Sequence, residues 1–280
     1  MADRKGLMTP AVLAGRLAEV GPGLVIVDLR EDPTDGRPVI PGSTWVSLHD
    51  GFAQHREERG LAYDLPRPEE LAATLGRLGI GRDTEVVFAD GHRNRWATRA
   101  YWVLRYYRHQ GPAWVLESGL PGWAAAGLPA AAEFARPRPV AYPVPADPDE
   151  SIRATADDLR AGVEKGTALP CDVRARQEYT GELAQSGRGG HVPGAAFVPW
   201  ERCLDDDSRF LPDDRLAEVL APFLRPGIEP VTYCQGGIRA SLTWFCLQEL
   251  LGRQARLYAA SWEEWGPRAD LPVDKGEPLG

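Results

Sequence analysis

The residues best suited to chemistry lie in one stretch, Tyr233-Cys234-Gln235-Gly236-Gly237-Ile238-Arg239-Ala240-Ser241. A β-rich run, Pro230-Val231-Thr232-Tyr233, delivers the thiol of Cys234 to a strand's carboxyl end, where open α/β sheets place their ligands. Gly236 and Gly237 then allow a tight turn in which successive backbone N–H groups point inward around the sulfur. A helical run follows and presents its own N-terminal N–H groups to the same spot, and Arg239 adds a guanidinium. Such a cradle favours a thiolate, or an anion carried on the sulfur, over a neutral thiol. The chemistry expected is nucleophilic attack by Cys234. The plainer alternative is a buried cysteine in a glycine turn, but the order strand, Cys, Gly-Gly, Arg, helix argues against it.

The elements that must hold this loop occur twice. Leu24-Val25-Ile26-Val27 runs into Asp28-Leu29-Arg30, and Ala168-Leu169-Pro170-Cys171 runs into Asp172-Val173-Arg174. Val39-Ile40-Pro41-Gly42-Ser43 follows the first, and His191-Val192-Pro193-Gly194-Ala195 the second. Helical patterns are expected over Pro68 to Leu78 and Asp214 to Leu224, and again over Trp96 to Tyr107 and Ala240 to Leu251. Strands are expected at Glu85 to Phe88 and Ala113 to Leu116 in the first half, and at Pro230 to Tyr233 and Arg256 to Tyr258 in the second. Each half closes on a tryptophan, Gly122-Trp123 and Ser261-Trp262, with Leu128-Pro129 and Leu271-Pro272 close behind. Between the halves, Arg136 to Pro148 carries five prolines, too many for a helix or a central strand. The expected organisation is two α/β domains, 1–136 and 147–280, each a parallel sheet flanked by helices, joined by a Pro-rich linker over 137–146.

Composition narrows the function classes. The 280 residues are 43% hydrophobic and 26% charged, enough for packed cores and too apolar for disorder. Asp and Glu number 40 against 32 Lys and Arg, a formal charge of −8, with no basic run to neutralise a row of phosphates, so nucleic acid is not an expected partner. The N-terminus leads into no apolar h-region and no stretch is long enough to span a bilayer, so a cytoplasmic protein without a membrane partner is expected. The 4 cysteines, Cys171, Cys203, Cys234 and Cys246, form no Cys-x-x-Cys pair, so neither a disulfide framework nor a zinc site is indicated. Cys246 shares a helix face with Leu242, Phe245 and Leu250 and reads as core; Cys171 and Cys203 read as packed.

The chain resembles the rhodanese family of sulfurtransferases in its tandem two-domain form. The resemblance covers nearly the whole sequence and rests on Cys234-Gln235-Gly236-Gly237-Ile238-Arg239, Asp172-Val173-Arg174, His191-Val192-Pro193-Gly194-Ala195 and Ser261-Trp262-Glu263-Glu264-Trp265. In such proteins the second domain usually carries the catalytic cysteine and the first has lost it. The matching place in the first half is Phe88-Ala89-Asp90-Gly91, where Ala89 or Asp90 takes the cysteine position. Cysteine phosphatases and their relatives on this fold put a longer loop between Cys and Arg, sized for phosphate. Here only Gln235, Gly236, Gly237 and Ile238 intervene, which suits a sulfur atom on Cys234.

The resemblance implies a two-step exchange through a Cys234 persulfide, with no metal and no organic cofactor. Gln235, Gly236, Gly237, Ile238 and Arg239 would bind substrate, the loop amides facing the terminal sulfur and Arg239 the anionic leaving group. The partners would be a small-molecule donor and acceptor, thiosulfate on one side and cyanide or a thiol on the other, and a monomer is expected. The alternatives are 3-mercaptopyruvate as donor, or a non-catalytic sulfur carrier or binding module. In well-known animal enzymes of the family an Arg follows the Asp-x-Arg stretch and helps bind substrate; the matching position here is Glu178. Arg239, or first-half arginines such as Arg93, Arg95 and Arg99, would have to replace it. Those three read equally well as solvated residues at a helix start. Asp172 and Arg174 are expected to orient the loop's scaffold, His191 to make a structural hydrogen bond, and Trp262 and Trp265 to pack inside.

Overall fold

The computed structural model describes residues 4–21 and 23–278. Its strands are β1 (Leu7–Met8), β2 (Leu24–Asp28), β3 (Thr44–Trp45), β4 (Gln54–Arg56), β5 (Leu61–Asp64), β6 (Glu85–Ala89), β7 (Ala113–Leu116), β8 (Arg153–Ala154), β9 (Ala168–Asp172), β10 (Ala196–Phe197), β11 (Glu229–Tyr233) and β12 (Arg256–Tyr258). One sheet runs β1-β7-β6-β2-β3, the other β8-β12-β11-β9-β10, and β4 pairs with β5 in a separate two-stranded ribbon. The neighbours in both large sheets are parallel. The two orders superimpose element for element, which is the repeat expressed as topology.

Parallel sheets are covered on both faces, so their inner strands read as unbroken apolar runs. Every residue of β2 and of β9 is buried. Two prolines nevertheless sit inside central strands. Cys171 stands opposite Ala196 and Val231 opposite Arg256, so Pro170 and Pro230 each lie one position before a short outer strand begins. A missing N–H facing outward there removes no ladder bond.

The chain divides into two compact units that are not contiguous in sequence. One holds the chain up to Gln54, Leu65–Asp149 and Asp206–Phe210; the other holds His55–Asp64, Glu150–Asp205 and the chain from Leu211 onward. The first has a core that includes Leu13, Ile26, Ile40, Val87, Leu116 and Trp123. The second packs Leu159, Val231, Tyr233, Tyr258, Trp262 and Trp265. The Pro-rich stretch 137–146 has neither helix nor strand, and it lies along the helix Pro68–Arg77 of the first unit, where the Val140 N–H donates to Gly76 O at 3.0 Å.

Three expectations need adjustment. The run expected as a helix from Asp214 to Leu224 is an α-helix over Asp213–Val219 and then a 3₁₀ turn over Ala221–Phe223, because Pro222 has no N–H to return to the preceding turn. The helix expected from Ala240 starts at Ile238, immediately after the Cys234 loop, and its last turn, Cys246–Leu250, is π-helical. The tryptophan of the first half matches Trp265, not Trp262. Trp123 Nε1 donates to Pro129 O at 2.8 Å and Trp265 Nε1 to Pro272 O at 2.9 Å. Among the described residues no helix is long and apolar enough to cross a membrane.

Candidate active site

Cys234 leaves the carboxyl end of β11, which is hydrogen-bonded to β9 on one side and β12 on the other. Its side chain is buried, with 1% of the residue exposed. The segment after β12 clamps the start of the loop. The Cys234 N–H donates to Ser261 Oγ at 3.1 Å, and the Ser261 hydroxyl donates onward to Tyr258 O at 2.8 Å. The N–H of Trp262 reaches Cys234 O at 3.1 Å and that of Glu263 reaches Gln235 O at 2.9 Å. Ser261 holds this position at φ 55°, in the left-handed region.

The loop then folds back on the sulfur. The Gly237 N–H donates to Cys234 Sγ at 3.1 Å. Gly237 is the N-cap of the helix Ile238–Phe245 and has φ 81°; a Cβ there would stand 2.3 Å from Ala259 O. At Gly236 a Cβ would stand 2.7 Å from Cδ2 of Tyr63, a residue of the β4–β5 ribbon. Gly237 is therefore required by backbone conformation and by close approach to a backbone carbonyl, while Gly236 is favoured by close approach to side chains. Gln235 donates from Nε2 to Ser186 Oγ at 2.6 Å, and Ile238 is buried at the first turn of the helix.

Arg239 is engaged by Glu178. Nη1 donates to Oε2 at 2.7 Å and Nη2 to Oε1 at 2.8 Å, with the two side chains 18% and 3% exposed. Burial disfavours the guanidinium's charge, but Glu178 and the nearby Cys234 outweigh it and hold Arg239 above its ordinary value. Burial alone would raise the Glu178 carboxyl; the Arg239 hydrogen bonds and charge reverse the sign and hold it below the usual carboxylate range. Cys234, Arg239 and Glu178 thus form one electrostatic group, and the residue in the place of the missing Arg holds the loop's own cation.

The scaffold residues behave as their sequence context implies. Arg174 and Asp172 form a buried ion pair with Nη2 to Oδ2 at 2.6 Å, Tyr233 OH donates to the same oxygen at 2.7 Å, and the guanidinium lies 4.5 Å from the centre of the Trp262 ring. His191 stacks on Tyr179 and its Nδ1 lies 2.9 Å from Tyr179 O. Cys171, Cys203 and Cys246 are buried, and burial pushes the Cys171 thiol up.

The first unit shows the same loop altered. Asp28 stands opposite Ala89 as Asp172 stands opposite Tyr233, so Asp90 takes the place of Cys234. Its carboxylate fills the loop: Oδ1 accepts from the N–H groups of His92 and Asn94, and Oδ2 from those of Trp96 and Ala97, at 2.7–3.0 Å. Four amides converging on one anion show what this loop shape does electrostatically. Of the nearby arginines, Arg99 is fully buried beside Trp102 rather than solvated, Arg95 Nε donates to His92 O, and Arg93 Nε donates to Ser208 Oγ within the same unit.

Four residues that build the site escape a reading of the sequence. The Ser261 hydroxyl that carries the Cys234 amide, Glu263, and the ribbon residues Ala62 and Tyr63 all touch the loop or its clamp. Ser261 and Glu263 lie inside a motif that was legible, but the ribbon is distant in sequence and has no periodic signature.

Comparison with known proteins agrees with this picture. The family pattern described as "Rhodanese-like domain" matches residues 9–126 and 155–267. A Mycolicibacterium smegmatis protein named "Putative thiosulfate sulfurtransferase" is 35% identical over 223 residues, 76% of this chain and 79% of its own. "Sulfur carrier protein TtuD" of Thermus thermophilus is 36% identical over 227 residues, with the same shares of 76% and 79%. Among solved structures, the anaerobic ergothioneine biosynthesis enzyme from Chlorobium limicola superimposes with a TM-score of 0.83 at 21% identity, over 98% of this chain and 71% of the other, a likeness of fold.

Proposed function

The chain belongs to the rhodanese family, in its tandem two-domain form, and from that premise we propose that it moves a sulfane sulfur from thiosulfate to cyanide or a thiol through a persulfide on Cys234. The observation that carries the reading is the Gly237 N–H donated to Cys234 Sγ at the start of a helix, beside Arg239. In the first step the Cys234 thiolate attacks the outer sulfur of thiosulfate. The sulfur–sulfur bond of the donor breaks and its electron pair leaves with sulfite, leaving a Cys234 persulfide anion. In the second step cyanide or a thiolate takes the terminal sulfur and the electron pair returns to Cys234.

Loop amides from Gln235 to Arg239 would stabilise the terminal sulfur, as the Asp90 carboxylate is held in the first unit. Catalysis is assigned to the second domain, about 147–280, and the first, about 1–136, is read as its catalytically degenerate copy. Thiosulfate is supported by the names of relatives. A second reading, 3-mercaptopyruvate as donor, is favoured by one observation: the terminal nitrogens of Arg239 already bind Glu178, which weakens the case for Arg239 as the sulfite-binding cation.

The test is intact-protein mass before and after thiosulfate, with sulfite release, for wild type and Cys234→Ala. A gain of one sulfur in the wild type only, discharged by cyanide, is expected. A gain with 3-mercaptopyruvate alone would exchange the donor, and no gain with either would remove the enzyme reading in favour of a binding module.

A further inference from the structure

Glu263 is placed against the sulfur loop by three constraints. Its backbone N–H is bonded to Gln235 O at 2.9 Å, which fixes its backbone against the residue that follows Cys234. Its Oε2 accepts from the Ala62 N–H at 2.9 Å, from the β4–β5 ribbon that packs within the same compact unit. That bond turns the carboxyl toward Gly236, where a Cβ would lie 3.2 Å from both Cδ and Oε1 of Glu263. Gly236 in turn precedes the glycine whose N–H binds the sulfur. A carboxyl group therefore borders the loop, while the loop's own Arg239 is already paired with Glu178.

We propose that Glu263 sets the charge selectivity of the sulfur donor, favouring singly charged donors over doubly charged ones. The proposal rests on the reading of Cys234 as the sulfur-accepting nucleophile. A donor brings its charge into a partly desolvated site, and each unit of negative charge is opposed by a Glu263 carboxylate that borders the loop at Gly236. Thiosulfate carries two such charges. An alkanethiosulfonate donates the same outer sulfur, releases a sulfinate and carries one, so the ratio of the two isolates charge from chemistry.

Burial holds the Glu263 carboxyl above the ordinary carboxylate range, against the pull of the Ala62 amide and of His55. Raising pH through that titration creates the carboxylate, so the thiosulfate-to-thiosulfonate ratio should fall as pH rises. The other groups around Glu263 are accounted for. Attack by Cys234 is common to both donors and cancels in the ratio. Arg239 is bound to Glu178, and Glu264 is bonded to Tyr258 OH with Arg59 at 3.9 Å. From the ribbon, His55 pulls the Glu263 carboxyl down and Tyr63 is a phenol against Gly236.

The experiment measures kcat/KM for thiosulfate and for methanethiosulfonate across pH, in wild type, Glu263→Gln and His55→Asn. Gln keeps an oxygen for the Ala62 N–H. The ratio should fall on the order of tenfold with rising pH in wild type. It should stay at the low-pH wild-type value across the range in Glu263→Gln, and still fall in His55→Asn. An unchanged, pH-dependent ratio in Glu263→Gln overturns the proposal and leaves sulfur transfer standing. Should Glu263→Gln not fold, a flat wild-type ratio overturns it equally. Failure of both donors to add sulfur to wild-type Cys234 overturns both readings together.

Discussion

Arg239 and Glu178 are joined at two points, Nη1 to Oε2 and Nη2 to Oε1, and Glu178 Oε2 also accepts the Ala175 N–H at 3.0 Å. The pair lets a cation sit beside the buried Cys234 without leaving an uncompensated charge in the interior. It also sets the guanidinium's direction, since a planar fork gripped by both terminal nitrogens cannot rotate freely toward a substrate.

Glu178→Gln is therefore expected to act on stability and on substrate in opposite senses. Stability at neutral pH should fall by about 3 kcal/mol, because Arg239 is left buried without its counter-charge. The folded-state pKa of Glu178 lies below its unfolded value, so its contribution is present above the unfolded value and lost as pH falls through the folded one. The gap between wild type and variant, measured by denaturant unfolding, should accordingly close on acidification. The freed guanidinium should lower KM for thiosulfate severalfold. A KM that rises would place Arg239 in its paired geometry as the binding form.

The two loop glycines are expected to differ in kind. Gly237→Ala must adopt φ 81° and bring a Cβ to 2.3 Å from a backbone carbonyl, neither of which can relax locally. It should cost about 2–4 kcal/mol and abolish sulfur loading. Gly236→Ala meets the ring edge of Tyr63 at 2.7 Å, and a surface ribbon can yield. A smaller loss of stability is expected there, partly restored in the double variant with Tyr63→Ala. Thermal unfolding and mass after thiosulfate separate the two.

Ser261 is a positioning residue whose hydroxyl carries the Cys234 amide to Tyr258 O. Ser261→Ala leaves that buried N–H without an acceptor, at about 1–3 kcal/mol, and loosens the sulfur's backbone. The rate constant for persulfide formation should fall about tenfold with KM little changed. Ser261→Gly relieves the φ of 55° but supplies no acceptor, so it should lose as much rate while regaining stability. Equal rates in wild type and Ser261→Gly would assign the effect to the backbone alone.

The sheets and the nucleophile loop were legible because they depend on local signals: apolar runs ending in Asp28 and Asp172, and glycines where the backbone must turn. The two-residue strands β1, β3, β8 and β10 were not, since such short pairings are created by their neighbours rather than by periodicity. Pro222, lacking an N–H, is the local signal that ends the second-half α-helix before Leu224. The Glu178–Arg239 bond could be suspected only as an absence, a carboxylate where well-known animal enzymes of the family carry an Arg. The exchanged segments, His55–Asp64 in the second unit and Asp206–Phe210 in the first, rest on long-range packing that no local pattern encodes. Whether Ala89 or Asp90 matched Cys234 was open in the sequence and is decided by strand register, Asp28 opposite Ala89.

That register makes Asp90 a direct probe of the loop. Its two oxygens accept four backbone amides, where Cys234 Sγ accepts the Gly237 amide. In Asp90→Asn one oxygen still accepts, but the NH₂ group faces two N–H donors, so one buried and one partly buried amide lose their acceptor and a charge-assisted set becomes neutral. Stability should fall by about 2–4 kcal/mol. Because Asp90 is no part of the chemistry assigned to Cys234, sulfur loading by intact mass should persist in the folded variant at the wild-type stoichiometry. A stable Asp90→Asn protein would mean that the four amides contribute little to holding an anion, and would weaken by the same measure the argument that the Cys234 loop stabilises a persulfide.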